Sequence, residues 1–445
     1  MNAAQQYSVA LKGYPPLQAW AAAHVAALHA PPAGQEVMVT NGNNQTIEMV
    51  LRLFLAPGDA LVCEEYTYPH IAESFVLPAG MEALPVACDA GGLDPAALEA
   101  ALAGRAAAGR PPAKVIYTVP IGQNPTGSVA SPSRRAAVYA VARKHGCLIL
   151  EDDPYHLLQF GPAEGSAGGG GGEGEGCGTD GPGDDPAAAA SSSYARPRGL
   201  AGLGASYLSM DVDGRVIRLD SFAKALAPGL RLGWATAAPP IIAKLVAHLH
   251  GVSLGAAPLA QVLAAELLRT WGRDGFEAHV KGVQAEYGRR AAVLHAAAQR
   301  WLGPGRGGGG VGGDGSAAAT ATTAPSSLPP LATWSRPRAG MFMWLRLEGL
   351  PDAGALVGRL SDAAVVLVPG AYAHCSGDRT RPCPFVRASF AGASDADMEA
   401  GMARLAAVLE AVHGEQAAGG ALLPPGVAAR VSPADGAATP DRASV

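Results

Sequence analysis

Aromatic side chains and charges are both scarce in this chain: 6% of its residues are Phe, Trp or Tyr, and 16% are Asp, Glu, Lys or Arg. The charges mix in sign and sum to a formal net charge of -5, so no basic stripe is present to track a phosphate backbone and no nucleic-acid partner is expected. Long apolar runs are missing as well. None approaches the roughly 20 residues needed to cross a bilayer, and the N-terminal MNAAQQYSVALKGYPP has no basic stretch followed by an apolar core. No membrane association is expected, and the cytoplasm is the expected compartment. The cysteines Cys63, Cys88, Cys147, Cys177, Cys375 and Cys383 contain no C-x-x-C pair. Most sit in apolar runs, which points to small buried hydrophobes rather than to a metal site or a disulfide framework.

What the chain does have is length and apolar content: 445 residues, 49% of them hydrophobic, suffice for a large core in two or three domains. Buried strands are expected at EVMVT (36–40), ALVCE (60–64), MEALPV (81–86), AKVIYTV (113–119), CLILED (147–152), VIRLD (216–220) and GWATAA (233–238). Helical patterns lie between the earlier ones, at 45–55, 94–104 and 133–146. Such alternation predicts an α/β fold, with a mostly parallel seven-stranded sheet between helices. Beyond residue 240 long helices precede a second α/β set: strands at 340–347, 365–370 and 385–392, and helices at 352–362 and 395–412. The expected division is an N-terminal segment (1–34), a large domain (35–245), a smaller C-terminal domain (246–415) and a tail (416–445). Gly- and Ala-rich stretches at 161–199 and 303–330, like the tail, bury too little apolar surface to offset ordering and read as disordered insertions.

Polar residues gather where strands end, the edge at which open α/β sheets bind ligands. The most telling is SFAKALAPGLR (221–231), which holds Lys224 in a segment otherwise almost free of charge. A lysine there is costly to keep protonated, and an amine that is readily neutral is a reactive one. TNGNNQ (40–45) leads from a strand into a helix, either as a phosphate seat at the free N–H groups or as an ordinary Asn cap. EEYTYPH (64–70) puts Tyr66 and Tyr68 at a strand end, for stacking or for packing. NPTG (124–127) is a turn whose Asn124 can meet a ligand oxygen. Asp152 and Asp153 follow a buried strand and call for a cation.

Taken together, GNNQ, the aromatic in TYP, GQNPTG, EDDPY followed by LQF, SFAKALAPGLRLGW, GMFMW and VRASF resemble the fold type I, pyridoxal-phosphate-dependent class I/II aminotransferases. The likeness is strongest to the branch of 2-aminoadipate, kynurenine and aromatic aminotransferases. Order and spacing match over roughly residues 14–412, apart from the two insertions.

The resemblance implies pyridoxal 5'-phosphate as cofactor, amino acid and 2-oxo acid substrates, and a homodimer. It implies that Lys224 bonds covalently to the cofactor aldehyde and moves the proton between Cα and C4′. Asp152, three before Tyr155, becomes the partner of the ring nitrogen, and Tyr155 and Asn124 bond the phenolic oxygen. Tyr68 stacks on the ring. Gly42, Asn43, Asn44, Ser221 and Arg231 hold the phosphate, and Arg387 clamps the substrate carboxylate, with Asn124 beside it.

Three departures stand out. Ala223 replaces a serine common in the family, GNNQ replaces the usual Ser or Ala with Gln, and the N-terminal segment is shorter than the glycine-containing leader of relatives. Alternatives that keep the same fold are a lyase or synthase of the 1-aminocyclopropane-1-carboxylate type, and a degraded paralogue without cofactor. A gene-control sensor would need a DNA-binding unit ahead of the core.

Overall fold

A computed structural model describes residues 11–32, 34–161, 198–306 and 328–419. The two insertions and the tail expected from composition lie outside the described residues except at their ends, and so does Cys177. Of the other cysteines, Cys63, Cys147, Cys375 and Cys383 are buried and unpaired, and Cys88 is half-buried.

Seven strands form the main sheet: β1 (Glu36–Thr40), β2 (Ala60–Glu64), β3 (Glu82–Val86), β6 (Val115–Thr118), β7 (Leu148–Asp152), β8 (Val216–Ser221) and β9 (Gly233–Ala237). Between β3 and β6 a hairpin, β4 (Cys88–Asp89) with β5 (Gly92–Leu93), stands apart. The order is β1-β9-β8-β7-β6-β2-β3; β9 alone runs against its neighbours and the rest are parallel, as the apolar runs predict. β2 and β6 are buried along their whole length, which requires cover on both faces.

That cover comes from α1 (Pro15–His29), α2 (Asn43–Phe54), α3 (Pro95–Ala107), α4 (Pro132–Lys144), α5 (Pro239–Ser253) and the first part of α6 (Pro258–Leu302). All but α2 begin with proline, whose missing N–H costs nothing in a first turn and whose fixed φ suits a helix start. Asp94 and Ser131 cap α3 and α4 through their side-chain oxygens.

A second core gathers around an antiparallel sheet, ordered β10 (Ala332–Trp334), β11 (Phe342–Leu347), β13 (Phe385–Ser389) and β12 (Val368–Pro369). Here the structure departs from the sequence expectation. The strand expected over 365–370 pairs only at Val368–Pro369, β10 is an addition, and the helix at 352–362 opens as a 3-10 turn before α7 (Val357–Asp362). α8 (Asp395–Ala417) carries a capping box between Ser394 and Asp397 and packs along α6. Among the described residues no helix is long and apolar enough to cross a membrane.

Two glycines fix how the second sheet meets the first. A Cβ on Gly122 would lie 2.6 Å from Gly340 Cα, and one on Gly340 would lie 2.6 Å from Gly122 O, with φ of +54° and +73° respectively. The GQNPTG turn is therefore locked backbone to backbone against the start of β11. We expect Gly340→Ala to lower stability by about 3 kcal/mol, from overpacking together with the left-handed φ. The midpoint of urea unfolding measures it.

Candidate active site

Every parallel strand that carries a candidate residue delivers it to one edge of the sheet. β1 ends at Thr40 before Gly42, β2 at Glu64 before Tyr68, β6 at Thr118 before Asn124, and β8 at Ser221 before Lys224. Because β9 is reversed, Arg231 enters the sheet at that same edge: Gly233 lies opposite both Thr40 and Ser221.

The two acids after β7 part company. Asp152 is buried; Asn43 Nδ2 donates to its Oδ1 at 2.6 Å and the Tyr117 hydroxyl donates to its Oδ2 at 2.7 Å. Burial pushes its carboxyl up to about 6, the two hydrogen bonds pull it back, and the neighbouring charges of Asp153 and Asp220 push it up again. Asp153 turns instead to Arg218 Nη1 at 3.0 Å and to His156 Nδ1 at 2.9 Å. Burial alone would raise it, but the Arg218 charge and His156 outweigh that and hold it below the usual carboxylate range. Arg218 also pairs with Glu151 at 3.1 Å and Asp220 at 2.7 Å, so Asp153 belongs to a buried ion cluster, whereas Asp152 has no ion-pair partner among the described residues.

The start of α2 is open. Gly42 is its cap, with φ +93°, and no side chain caps the helix. A Cβ on Gly42 would sit 3.0 Å from Arg231 Nη2, so the guanidinium lies directly over the bare backbone. Arg231 is held in the left-handed region at φ 51°, ψ 45°, a conformation a non-glycine residue adopts at a cost and one concentrated at functional sites. Asn44 donates to the Tyr68 hydroxyl at 3.3 Å. Ser221 Oγ accepts from the Ala223 N–H at 3.1 Å, placing that hydroxyl in the turn before Lys224. Helix N–H groups, a guanidinium and a hydroxyl make a seat for a phosphate. Asn43 differs from expectation in where its side chain goes: it is committed to Asp152.

Lys224 is half-buried, with Nζ 6.0 Å from the centre of the Tyr155 ring. Desolvation, then the charges of Arg231 and Arg387, hold its amine below the ordinary lysine value. Tyr155 is buried, and burial with the Asp152 charge pushes its hydroxyl well up. From β13, Arg387 Nη1 donates to Asn124 Oδ1 at 2.8 Å, and its guanidinium stacks 4.4 Å over the Phe342 ring. Its Nε is buried without a hydrogen-bond partner, a donor waiting for an acceptor.

Two contributors escape the sequence reading. Tyr117 sits inside β6, level with Leu150 of β7, and its strand position gives no hint that its hydroxyl reaches Asp152. Gln123 donates to Glu64 Oε2 at 2.7 Å and to the Tyr66 carbonyl at 2.6 Å, pinning the Asn124 turn to the end of β2. Thr118 donates to the other oxygen of Glu64 at 2.7 Å, and burial still pushes that carboxyl up to about 7.

This donor set fits a ring cofactor that bears a phosphate: an open helix start under an arginine, a buried carboxylate with two donors, and an amine kept readily neutral. Comparison with known proteins points the same way. Residues 3–304 match the family described as aminotransferase class I and II. The mitochondrial kynurenine/alpha-aminoadipate aminotransferase of Bos taurus is 30% identical, over 92% of this chain and 84% of its own. The L-tyrosine:2-oxoglutarate aminotransferase of Serpula lacrymans is 35% identical, over 72% of this chain and 53% of its own. Among solved structures, the alpha-aminoadipate aminotransferase of Thermus thermophilus, complexed with N-(5'-phosphopyridoxyl)-L-leucine, superposes with a TM-score of 0.68 at 25% identity, over 92% of this chain and 85% of that one. With the family match and the likeness to the bovine protein over 92% of this chain, the chain belongs to the class I and II aminotransferases.

Proposed function

We propose that this aminotransferase takes the amino group of a bulky L-amino acid, aromatic or 2-aminoadipate-like, and passes it to a 2-oxo acid in two half-reactions with pyridoxal 5'-phosphate. The observation that carries the reading is Lys224, a depressed amine on the edge where Asp152, Tyr155, Arg231 and Arg387 meet. Bound there, the cofactor supplies an aldehyde for a primary amine to attack and a protonated ring that takes up the electrons left at Cα.

The protein's residues do the rest. Lys224 Nζ, neutral for part of the cycle, takes the proton from the substrate Cα and returns one at C4′. The Asp152 carboxylate, steadied by Asn43 and Tyr117, keeps the ring nitrogen protonated. Tyr155 and Asn124 bond the phenolic oxygen, and Tyr68 covers one ring face. The backbone at Gly42, Asn43 and Asn44, with Ser221 and Arg231, holds the phosphate. Arg387, oriented by Asn124 and Phe342, binds the substrate carboxylate in a two-point grip.

The test is spectroscopic. Adding an amino acid to the reconstituted protein converts the aldehyde absorbance to that of the amine form, and a 2-oxo acid restores it. Kynurenine, 2-aminoadipate and tyrosine react faster than alanine or aspartate. Absorbance that no 2-oxo acid restores rules out transamination in favour of a lyase or synthase. Arg231→Gln removes one charge-assisted contact, and the cofactor dissociation constant rises about 10- to 100-fold in a titration.

The reading includes a homodimer. Leu259, Leu263 and Leu267 repeat at helical spacing on α6 and are 59%, 56% and 36% exposed, beside exposed Val252 and Leu254. Such a stripe on a folded surface is suited to a second copy. Sedimentation gives twice the chain mass, and Leu263→Glu shifts it toward the single chain.

A further inference from the structure

The turn that carries Lys224 has little of its own to hold it in place. In SFAKALAPGLR (221–231) the polar side chains are Ser221, Lys224 and Arg231. The base of the turn is tied: Phe222 N–H donates to Leu232 O at 3.1 Å, and the Phe222 ring packs in the main core, 4.9 Å from that of Trp234. Within the turn, Phe222 O accepts from Leu226 N–H at 2.8 Å and from Ala227 N–H at 3.2 Å, and Pro228 O accepts from Arg231 Nη1 at 3.2 Å. From Ala227 to Gly229 the chain is exposed.

Among the described residues one hydrogen bond alone reaches residues 223–231 from another element. His279 of α6, half-buried, donates from Nε2 to Ala225 O at 2.6 Å. A carbonyl can only accept, so this bond fixes the proton of the neutral ring on Nε2. Ala225 is 5% exposed, and its carbonyl needs a donor that water does not readily supply. Because Ala225 is the next residue after Lys224, the same bond sets the direction in which the backbone presents the lysine.

The His279 ring is itself placed. Trp271 lies against it, with ring centres 4.8 Å apart at an interplanar angle of 33°. Eight residues of unbroken helix would separate the two by about 12 Å along the axis. Gly272, at φ 62°, ψ -171°, interrupts the helix between them in a conformation essentially confined to glycine, and the rings meet across that break.

We propose that His279 is a positioning residue for Lys224, holding Ala225 O so that the amine stays directed toward the Tyr155 ring; this rests on the reading of Lys224 as the reacting amine. Without the brace the turn is tied only at its base. The amine then spends time in water, which relieves the desolvation that depresses it, and it leaves the geometry that proton transfer requires.

The experiment compares His279→Phe, which keeps a ring beside Trp271 but has no donor, with His279→Gln, whose amide nitrogen takes the place of Nε2. In the full chain without cofactor, acetylation of Lys224 by acetic anhydride is followed against pH by peptide mass spectrometry. Its midpoint moves up in pH in His279→Phe and returns to the wild-type position in His279→Gln. In the loaded protein the half-reaction of His279→Phe slows about 10- to 100-fold while KM for the amino acid changes less than about threefold, and His279→Gln recovers most of the rate. A purely structural role would lower the urea midpoint of unfolding and leave the labelling midpoint where it is. An unmoved labelling midpoint in His279→Phe, a shift that His279→Gln does not reverse, or an unchanged half-reaction rate in His279→Phe beside an active wild type each overturn the proposal. A wild type that performs no half-reaction counts against the functional reading instead, and the labelling, done without cofactor, still decides the brace. If His279→Phe does not fold, His279→Asn, whose amide nitrogen stops at the position of Nδ1, takes its place.

Discussion

Lys224→Ala loses transamination by about 10,000-fold or more, the upper range of what a positioned acid-base group contributes, with the covalent attachment lost as well. Among the described residues whose charges act on Lys224 there is no second amine to replace it. Arg231 and Arg387, the nearby cations, are guanidinium groups that do not deprotonate, and they depress Lys224 rather than share its work. The measurement is a single-turnover half-reaction with the absorbance of the bound cofactor followed in parallel. On the proposed reading the variant still binds pyridoxal phosphate through Gly42, Ser221 and Arg231, but borohydride no longer fixes it to the chain. Retention of more than about a hundredth of the wild-type rate would take the proton-transfer role from Lys224.

Asp152→Asn has the second-largest effect, and it divides into two opposite readouts. On the proposed reading turnover falls about 100- to 1,000-fold, because the charge assigned to the ring nitrogen is removed while the shape is kept. Stability of the cofactor-free protein moves the other way. The Asp152 carboxyl is raised from the ordinary 3.8 to about 6 by burial, so between those pH values the folded state holds more protons than the unfolded state. The contribution of Asp152 to the slope of unfolding free energy with pH is then negative: this one group costs the wild type stability as pH rises from about 4 to about 6, by up to about 3 kcal/mol. The amide that replaces the carboxyl does not titrate, so urea midpoints of variant and wild type, measured without cofactor from pH 4 to 7, diverge in the variant's favour. Parallel midpoints across that range would mean that the carboxyl is not held up by burial.

Much of this site is legible in the sequence, because its residues lie next to strand ends and strands buried on both faces announce themselves as apolar runs. VIRLD followed by SFAK places Lys224 just beyond the end of a buried strand. What is not legible depends on register between strands far apart in the chain. Tyr117 meets Asp152 because β6 and β7 pair with Tyr117 opposite Leu150, and Asn43 meets it because β1, β9, β8 and β7 are consecutive neighbours. Neither pairing leaves a mark on local periodicity. The short strands of the second sheet are similarly silent: Val368–Pro369 is too brief for alternation to show, and its position follows from β13 beside it.

The helix α6 has a mechanical consequence. It breaks once, at Gly272, and runs on without interruption to Leu302. Within that second stretch Phe276 and Val280 are embedded in the first core, Ala291, Leu294, Ala298 and Leu302 in the second, and Tyr287 touches both. One rod is thus a structural member of two bodies, which cannot slide past each other without shearing it. Heat should therefore melt the protein in a single calorimetric transition, and any opening motion is confined to flexing of that shared beam.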